Sequence, residues 1–69
     1  MKNRLKLSRI EIGITQQQLA EKAGVSRQSI IAIESGKYIP STLLALKFAN
    51  IFNKSIENIF ELEENDWKK

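Results

Sequence analysis

The side chains that could carry chemistry in this sequence are guanidinium, amide and hydroxyl groups, and many of them fall between residues 15 and 38. Arg27 and Gln28 are adjacent, and each carries a planar group with several hydrogen-bonding atoms. Such groups can bind a partner that presents two neighbouring polar atoms, as the edge of a nucleic-acid base does. The chain has no His or Cys, and Asp66 is its only Asp, so the usual catalytic bases, thiol nucleophiles and zinc ligands are missing. We therefore expect neither an enzyme nor a cofactor.

Two short helices joined by a tight turn are predicted in residues 15–37. Thr15 is a good N-cap, and Gln18, three residues later, completes a capping box. Gly24 ends the first helix, because glycine takes a left-handed backbone conformation without steric cost. Ser26 caps the second helix. Two amphipathic helices joined by a short turn that contains Gly are typical of a helix-turn-helix.

The same stretch resembles the Cro and phage-repressor family of helix-turn-helix proteins, also called the XRE family. The matching positions read Thr15-Gln16-x-x-Leu19-Ala20-x-x-Ala23-Gly24-Val25-Ser26-x-x-x-Ile30-x-x-Ile33-Glu34-x-Gly36-Lys37. The resemblance covers about residues 5–60. It implies one all-α domain over residues 1–69, built as five lambda-repressor-like helices. It also implies a sequence-specific regulator of transcription that binds double-stranded DNA.

The helix that follows Ser26 is the predicted reading element, because an α-helix fits the major groove of B-DNA and its N-terminal part meets the base edges. Ile30 and Ile33 are expected to face the core, which leaves the other faces to solvent. Arg favours guanine and Gln favours adenine. The predicted base contacts are Arg27, Gln28, Ile31 and Ala32. For Ile31 the alternative is packing against a neighbouring protein, and for Ala32 it is no base contact at all.

Contacts to DNA phosphates are expected on both sides of this helix, where they fix position without specifying sequence. The free N–H groups at the start of the first helix suit an anion, and Gln16 resembles the family's phosphate-contacting Gln. The predicted phosphate contacts are Thr15, Gln16, Gln17, Ser26, Ser35, Lys37 and Tyr38. The alternatives are that Thr15 and Ser26 serve only as caps and that Lys37 is a solvated loop lysine.

Glu34 needs a separate explanation, because a carboxylate beside a DNA-binding surface would repel phosphate. It follows Ile33 on the predicted buried flank, where an unpaired carboxylate would be costly. The family resemblance places Arg9 where it would pair with this residue. We therefore predict an Arg9–Glu34 salt bridge between the first and third helices.

Three further segments carry predictions about the core and the tail. Leu7, Ile10 and Ile14 are expected to form the apolar face of the first helix. The helix after Ser41 is apolar nearly all round, which predicts a central buried helix that ends at Asn53. Ser55 is the predicted cap of a fifth helix whose apolar residues pack inward. Residues 61–63 form either a strand that pairs with residues 2–4 or a disordered tail.

Charge is unevenly distributed along the chain. Residues 1–54 carry nine Lys and Arg against three Glu, whereas residues 55–69 carry five acids against two Lys. A basic body with an acidic tail suits a protein that binds a polyanion, although ordinary surface charge is the alternative. We expect a homodimer that sets two reading helices about 34 Å apart. The residues expected at the dimer face are Ile56, Ile59, Leu62 and Trp67.

No apolar run approaches the roughly 20 residues that a membrane span requires, and no signal-peptide core follows the first residues. We therefore expect a cytoplasmic protein without a membrane or small-molecule partner. The leading hypothesis is a repressor. The alternative is an antitoxin-like protein-interaction module that binds DNA secondarily.

Overall fold

The computed structural model describes residues 1–68, so Lys69, the last residue of the predicted domain and tail, lies outside the described residues. The elements in chain order are β1 (Lys2–Asn3), α1 (Leu5–Glu11), α2 (Gln16–Ala23), α3 (Arg27–Glu34), α4 (Thr42–Phe52) and β2 (Phe60–Glu61), with 3₁₀ turns at Ile56–Asn58 and Glu64–Trp67. Within residues 1–68, no helix has the length and apolar character needed to cross a membrane. The same residues contain no group of three or more His, Cys, Asp or Glu side chains that could hold a metal ion.

The predicted caps of α2, α3 and α4 are confirmed. The Thr15 hydroxyl accepts from the Gln18 N–H at 3.0 Å, and the Gln18 side chain accepts from the Thr15 N–H at 2.8 Å. Ser26 accepts from the N–H of Ser29 at 3.1 Å, and Ser41 caps α4 in the same way. Each cap satisfies backbone donors that a helix leaves free at its first turn.

The predicted stops of α2 and α4 are confirmed as well. Gly24 and Asn53 have φ angles of 71° and 53°, both in the left-handed region. Asn tolerates this conformation better than most residues with a Cβ. The two residues therefore end their helices by local backbone geometry.

The predicted apolar face of α1 is wrong. Leu5 and Ser8 are buried, whereas Leu7 is 57% exposed and Ile10 is 55% exposed. A serine can lie inward here because its hydroxyl accepts from the Lys54 ammonium at 3.4 Å. Ile14 is half-buried against the core. The face that α1 buries is therefore set by the polar partner at Ser8 as well as by hydrophobicity.

Helix α4 is buried on one face only, which corrects the prediction of a helix buried all round. Leu44, Phe48 and Phe52 lie in the core, whereas Leu43 and Leu46 are 66% and 52% exposed. The helix packs on α2 and on the turn at Ile56–Asn58. A domain this small does not surround its central helix, because it has too few elements to cover every face.

The C-terminal part also departs from the prediction, because the expected fifth α-helix is a single 3₁₀ turn at Ile56–Asn58. The Ser55 side chain makes no capping hydrogen bond there. Ile59 is fully buried, so it cannot contribute to the predicted dimer face without rearrangement. Of the two alternatives for the tail, the structure has the strand: a two-stranded antiparallel sheet pairs Lys2 with Glu61 and Asn3 with Phe60. The strand begins one residue earlier than predicted, and the buried side chain of Phe60 holds it against the core.

Candidate nucleic-acid interface

The exposed start of α3 is the most prominent polar feature of the described surface. Ile30 and Ile33 are fully buried and fix how this helix rotates against the core. Arg27 and Gln28, in the first turn, are exposed. Within residues 1–68, neither side chain has a hydrogen-bond partner. Both groups therefore remain available to donate hydrogen bonds to another molecule.

The middle of α3 is less polar than its start. Ile31 is 41% exposed, and Ala32 is half-buried. Both lie beyond Arg27 and Gln28 on the same helix, as the sequence predicted. They can offer methyl groups to a partner.

The loop after α3 folds back on the end of the helix. The N–H groups of Lys37 and Tyr38 donate to the Ala32 carbonyl at 2.9 and 3.2 Å. The Ser35 hydroxyl donates to the same carbonyl at 3.1 Å. Gly36 allows this close turn because its φ is 79°, a value that side-chain-bearing residues rarely adopt. The side chains of Lys37 and Tyr38 are exposed on a backbone that is fixed to α3.

On the other side of α3, a surface hollow brings together four of the predicted contact residues. Its walls are formed by Thr15, Gln16 and Gln17 at the start of α2 and by Arg27 at the start of α3. Arg9 of α1 also lines this hollow, a position that could not be predicted from the sequence. Arg9 had only a structural role in the sequence analysis, because its distance from α2 depends on tertiary packing. The hollow therefore joins predicted phosphate contacts, a predicted base contact and one additional guanidinium group.

The predicted Arg9–Glu34 salt bridge is confirmed. Arg9 Nε lies 2.7 Å from Glu34 Oε2, and the two side chains are 12% and 5% exposed. Arg9 Nη1 also donates to the Ile14 carbonyl at 2.9 Å, which ties down the loop before α2. The sequence did not predict a third partner: Gln16 Nε2 donates to Glu34 Oε1 at 3.1 Å. The carboxylate thus contacts both α1 and α2 from the end of α3.

This arrangement makes the exposed surface around α3 basic. Glu34 is the only acid in α3, and the Arg9 guanidinium pairs with it below the surface. Arg27, at the start of α3, and Lys37, just after its end, are both exposed. Neither forms a salt bridge within the part of the chain that the structure describes. Exposed basic groups beside polar hydrogen-bond donors are suited to a nucleic-acid backbone.

Comparison with known proteins identifies the family. A helix-turn-helix family model matches residues 5–59, which include all four α-helices. An uncharacterised HTH-type transcriptional regulator of Methanocaldococcus jannaschii is 54% identical over 66 residues, which are 96% of this chain and 100% of the relative. The uncharacterised HTH-type transcriptional regulator YgzD of Bacillus subtilis is 47% identical with the same two coverages.

A solved structure shares the architecture. The restriction-modification controller protein C.AhdI from Aeromonas hydrophila superposes with a TM-score of 0.76 at 28% sequence identity. The match covers 83% of this chain and 86% of that protein. Sequence pattern, fold and relatives agree. This chain belongs to the XRE-like helix-turn-helix family of DNA-binding transcriptional regulators.

Proposed function

We propose that this protein is a sequence-specific repressor that binds double-stranded DNA as a homodimer and reads the major groove with α3. The observation that carries the proposal is the exposed, unpartnered pair Arg27 and Gln28 at the first turn of that helix. In this class of motif the second helix lies in the major groove with its N-terminal residues at the base edges, so its first turn meets the bases. Repression is the expected outcome because a bound dimer would cover the DNA that a polymerase needs.

Base recognition would divide between polar and apolar groups. Arg27 can donate two hydrogen bonds to the O6 and N7 atoms of guanine. Gln28 can donate from its amide nitrogen to N7 of adenine and accept at its amide oxygen from the N6 amino group. Ile31 and Ala32 would contact thymine methyl groups, since each offers only apolar atoms. The half-buried position of Ala32 makes its contribution the smaller of the two.

Phosphate contacts would hold the helix from both sides. Thr15, Gln16 and Gln17 would bind one strand at the hollow beside α2. Lys37 and Tyr38, with Ser26 and Ser35, would bind the backbone on the other side. The start of α2 and the loop after α3 are both hydrogen-bonded to α3. Phosphate contacts from these two segments would therefore set the register of the base-reading helix, which supports their assignment as phosphate-binding segments.

The dimer would form through the apolar surface near the C-terminal segment. Leu62 is 58% exposed and Trp67 is 76% exposed, which leaves large apolar groups in water. Ile56 is half-buried and lines the same groove as Leu62. A second copy packed on this surface would remove these groups from water. Sedimentation equilibrium of the protein and of a Leu62→Glu variant tests the dimer, which the charged side chain should dissociate.

The DNA-binding proposal is tested by selecting bound duplexes from a random library and measuring variants on the selected operator and on random DNA. Arg27→Ala should lose about 1–3 kcal/mol of binding free energy on the operator and much less on random DNA. Lys37→Ala should weaken both duplexes alike and reduce the salt dependence by about one phosphate contact. Equal losses on both duplexes for Arg27→Ala would refute its base-reading role.

A further inference from the structure

The hydrogen bond from Gln16 to Glu34 connects the hollow at the protein surface to a buried ion pair. Gln16 Nε2 lies 3.1 Å from Glu34 Oε1, and the Glu34 side chain is only 5% exposed. We propose that Glu34 is a positioning residue for DNA binding, because its carboxylate orients the Gln16 amide for contact with a DNA phosphate. This inference rests on the proposed function and deepens it.

The carboxylate selects one of the two orientations of the Gln16 amide. An amide has nearly the same shape when its oxygen and nitrogen are exchanged, so a partner must decide which atom faces where. An ionised carboxylate only accepts hydrogen bonds, so it faces the amide nitrogen. One N–H of that nitrogen then donates to Glu34, and the second remains available as a donor. Without Glu34, the amide is free to present its oxygen to a phosphate. The negatively charged phosphate would repel that oxygen.

The negative charge of Glu34 does not oppose this role. Arg9 Nε lies 2.7 Å from Glu34 Oε2, and Arg9 Nη2 lies 3.4 Å from Glu34 Oε1. The guanidinium charge therefore compensates the carboxylate below the surface. Arg9 also holds the Ile14 carbonyl, two residues before Gln16 in the chain. The ion pair thus fixes both the backbone and the side chain at the start of α2.

Gln17 provides a matched comparison within the same hollow. Its amide nitrogen donates to Glu21 Oε2 at 3.4 Å, one turn further along its own helix. It lines the hollow beside Gln16 but makes no hydrogen bond to Glu34. A general disturbance of α2, including release of Arg9, would affect both glutamines, whereas loss of the Gln16–Glu34 hydrogen bond with Arg9 still held would affect Gln16 alone.

The test is a double-mutant cycle on Gln16→Ala and Glu34→Gln, with Kd measured on the selected operator and on random DNA. Gln16→Ala should weaken both duplexes by about tenfold, because it removes a hydrogen bond to a charged group. Glu34→Gln should cause a loss of similar size, because the variant side chain has one accepting oxygen, which the charged Arg9 retains, and its amide nitrogen then faces Gln16 and cannot accept from it. The double variant should bind no more than about twofold more weakly than Gln16→Ala alone, since both changes remove the same contact.

The control cycle replaces Gln16→Ala with Gln17→Ala. In that cycle the two losses should multiply, because Gln17 does not depend on Glu34. Thermal unfolding followed by circular dichroism sets a temperature at which every variant is folded. Glu34→Asp, which keeps the charge opposite Arg9 and shortens the side chain by one methylene, replaces Glu34→Gln if that variant does not fold.

A spectroscopic measurement separates orientation from stability. The side-chain amide resonance of Gln16, observed by ¹H–¹⁵N NMR in the DNA-free protein, should shift in the Glu34 variant, while that of Gln17 should not. If the protein binds specific DNA but the losses of affinity from Gln16→Ala and Glu34→Gln multiply, this proposal alone is overturned. A wild-type protein that binds no duplex would overturn the proposed function and this proposal with it.

Discussion

The helix-turn-helix and the terminal corner, defined here as residues 1–4 and 59–67, are stabilised in different ways. Neutral hydroxyl caps, a left-handed glycine, buried isoleucines and one buried ion pair stabilise the helix-turn-helix. A two-residue ladder and exposed ion pairs stabilise the corner. Arg4 and Glu61 lie 2.7 Å apart with side chains 37% and 46% exposed, and the Met1 amine lies 2.8 Å from Glu63. The corner also includes the buried Ile59 and Phe60, so the two regions differ in their ion pairs, which are shielded from water in the helix-turn-helix and exposed in the corner.

The difference bears on how the protein would respond to solution conditions. Salt weakens interactions between exposed charges, with a screening length of about 10 Å at 0.1 M and about 3 Å at 1 M, but it screens buried pairs far less. The helix-turn-helix should therefore keep its conformation at salt concentrations that weaken the ion pairs of the terminal corner. Leu62 and Trp67, the exposed apolar residues proposed for the dimer, belong to the corner. Dimer formation should accordingly be more sensitive to salt than the conformation of the helix-turn-helix.

The largest expected effect is on the buried pair. Arg9→Ala should lower the free energy of unfolding by about 3–5 kcal/mol, because it leaves the Glu34 carboxylate buried without its cation. Chemical denaturation measures the change. Arg4→Ala is the matched control, since it removes an arginine from an exposed pair in the corner. A loss as small for Arg9→Ala as for Arg4→Ala would erase the distinction between the two regions.

An intermediate effect is expected at the helix caps. Thr15→Ala should destabilise the protein by about 1 kcal/mol, because the first turn of α2 loses the hydroxyl that accepts from Gln18. Thr15→Ser should retain most of the stability. Ser55→Ala is the matched control near the corner, where the side chain makes no capping hydrogen bond, and it should change stability little. Thermal unfolding of the three variants compares the sites, and equal losses at Thr15 and Ser55 would contradict the assignment.

The smallest expected effect is the response of the corner to acid. The hydrogen bond from Arg4 lowers the pKa of the Glu61 carboxyl below its ordinary value of 4.5. A carboxyl with a lowered pKa stabilises the folded state above its ordinary value, and this contribution is lost as the pH falls through the lowered value. The Arg4 N–H, which donates to the Ile59 carbonyl, should therefore lose hydrogen-exchange protection as the pH falls below 4.5 and through the lowered pKa of Glu61. Glu61→Gln should remove that pH dependence. If the protection of the Arg4 N–H in this variant still depends on pH as it does in the unmodified protein, groups other than Glu61 cause the dependence.

The boundaries of the helix-turn-helix followed from short-range chemistry. Thr15, Gln18 and Ser26 satisfy backbone groups within three residues of themselves, and Gly24 acts on its own backbone angles. These interactions need no distant partner, so the sequence pattern was sufficient. The inward position of Ile30 and Ile33 followed from helical periodicity. The Arg9–Glu34 pair was predictable only through the family resemblance.

The errors lay where a residue's environment depends on distant segments. The buried face of α1 carries Leu5, Ser8, whose hydroxyl accepts from Lys54 after α4, and Arg9, which pairs with Glu34, while Leu7 and Ile10 lie on the exposed faces. The outer face of α4 is exposed because no other element of the described chain packs over Leu43 and Leu46. Periodicity shows which residues share a face, but it does not show whether a neighbour covers that face.

The sequence by itself determined where α2, α3 and α4 begin and end, which family pattern the chain follows and which polar residues start the reading helix. Those properties depend on atoms a few residues apart. The tertiary structure alone decided which faces of α1 and α4 are buried, and it placed Arg9 and Gln16 around one carboxylate. These contacts join residues from different helices, so they exist only after the helices have packed together.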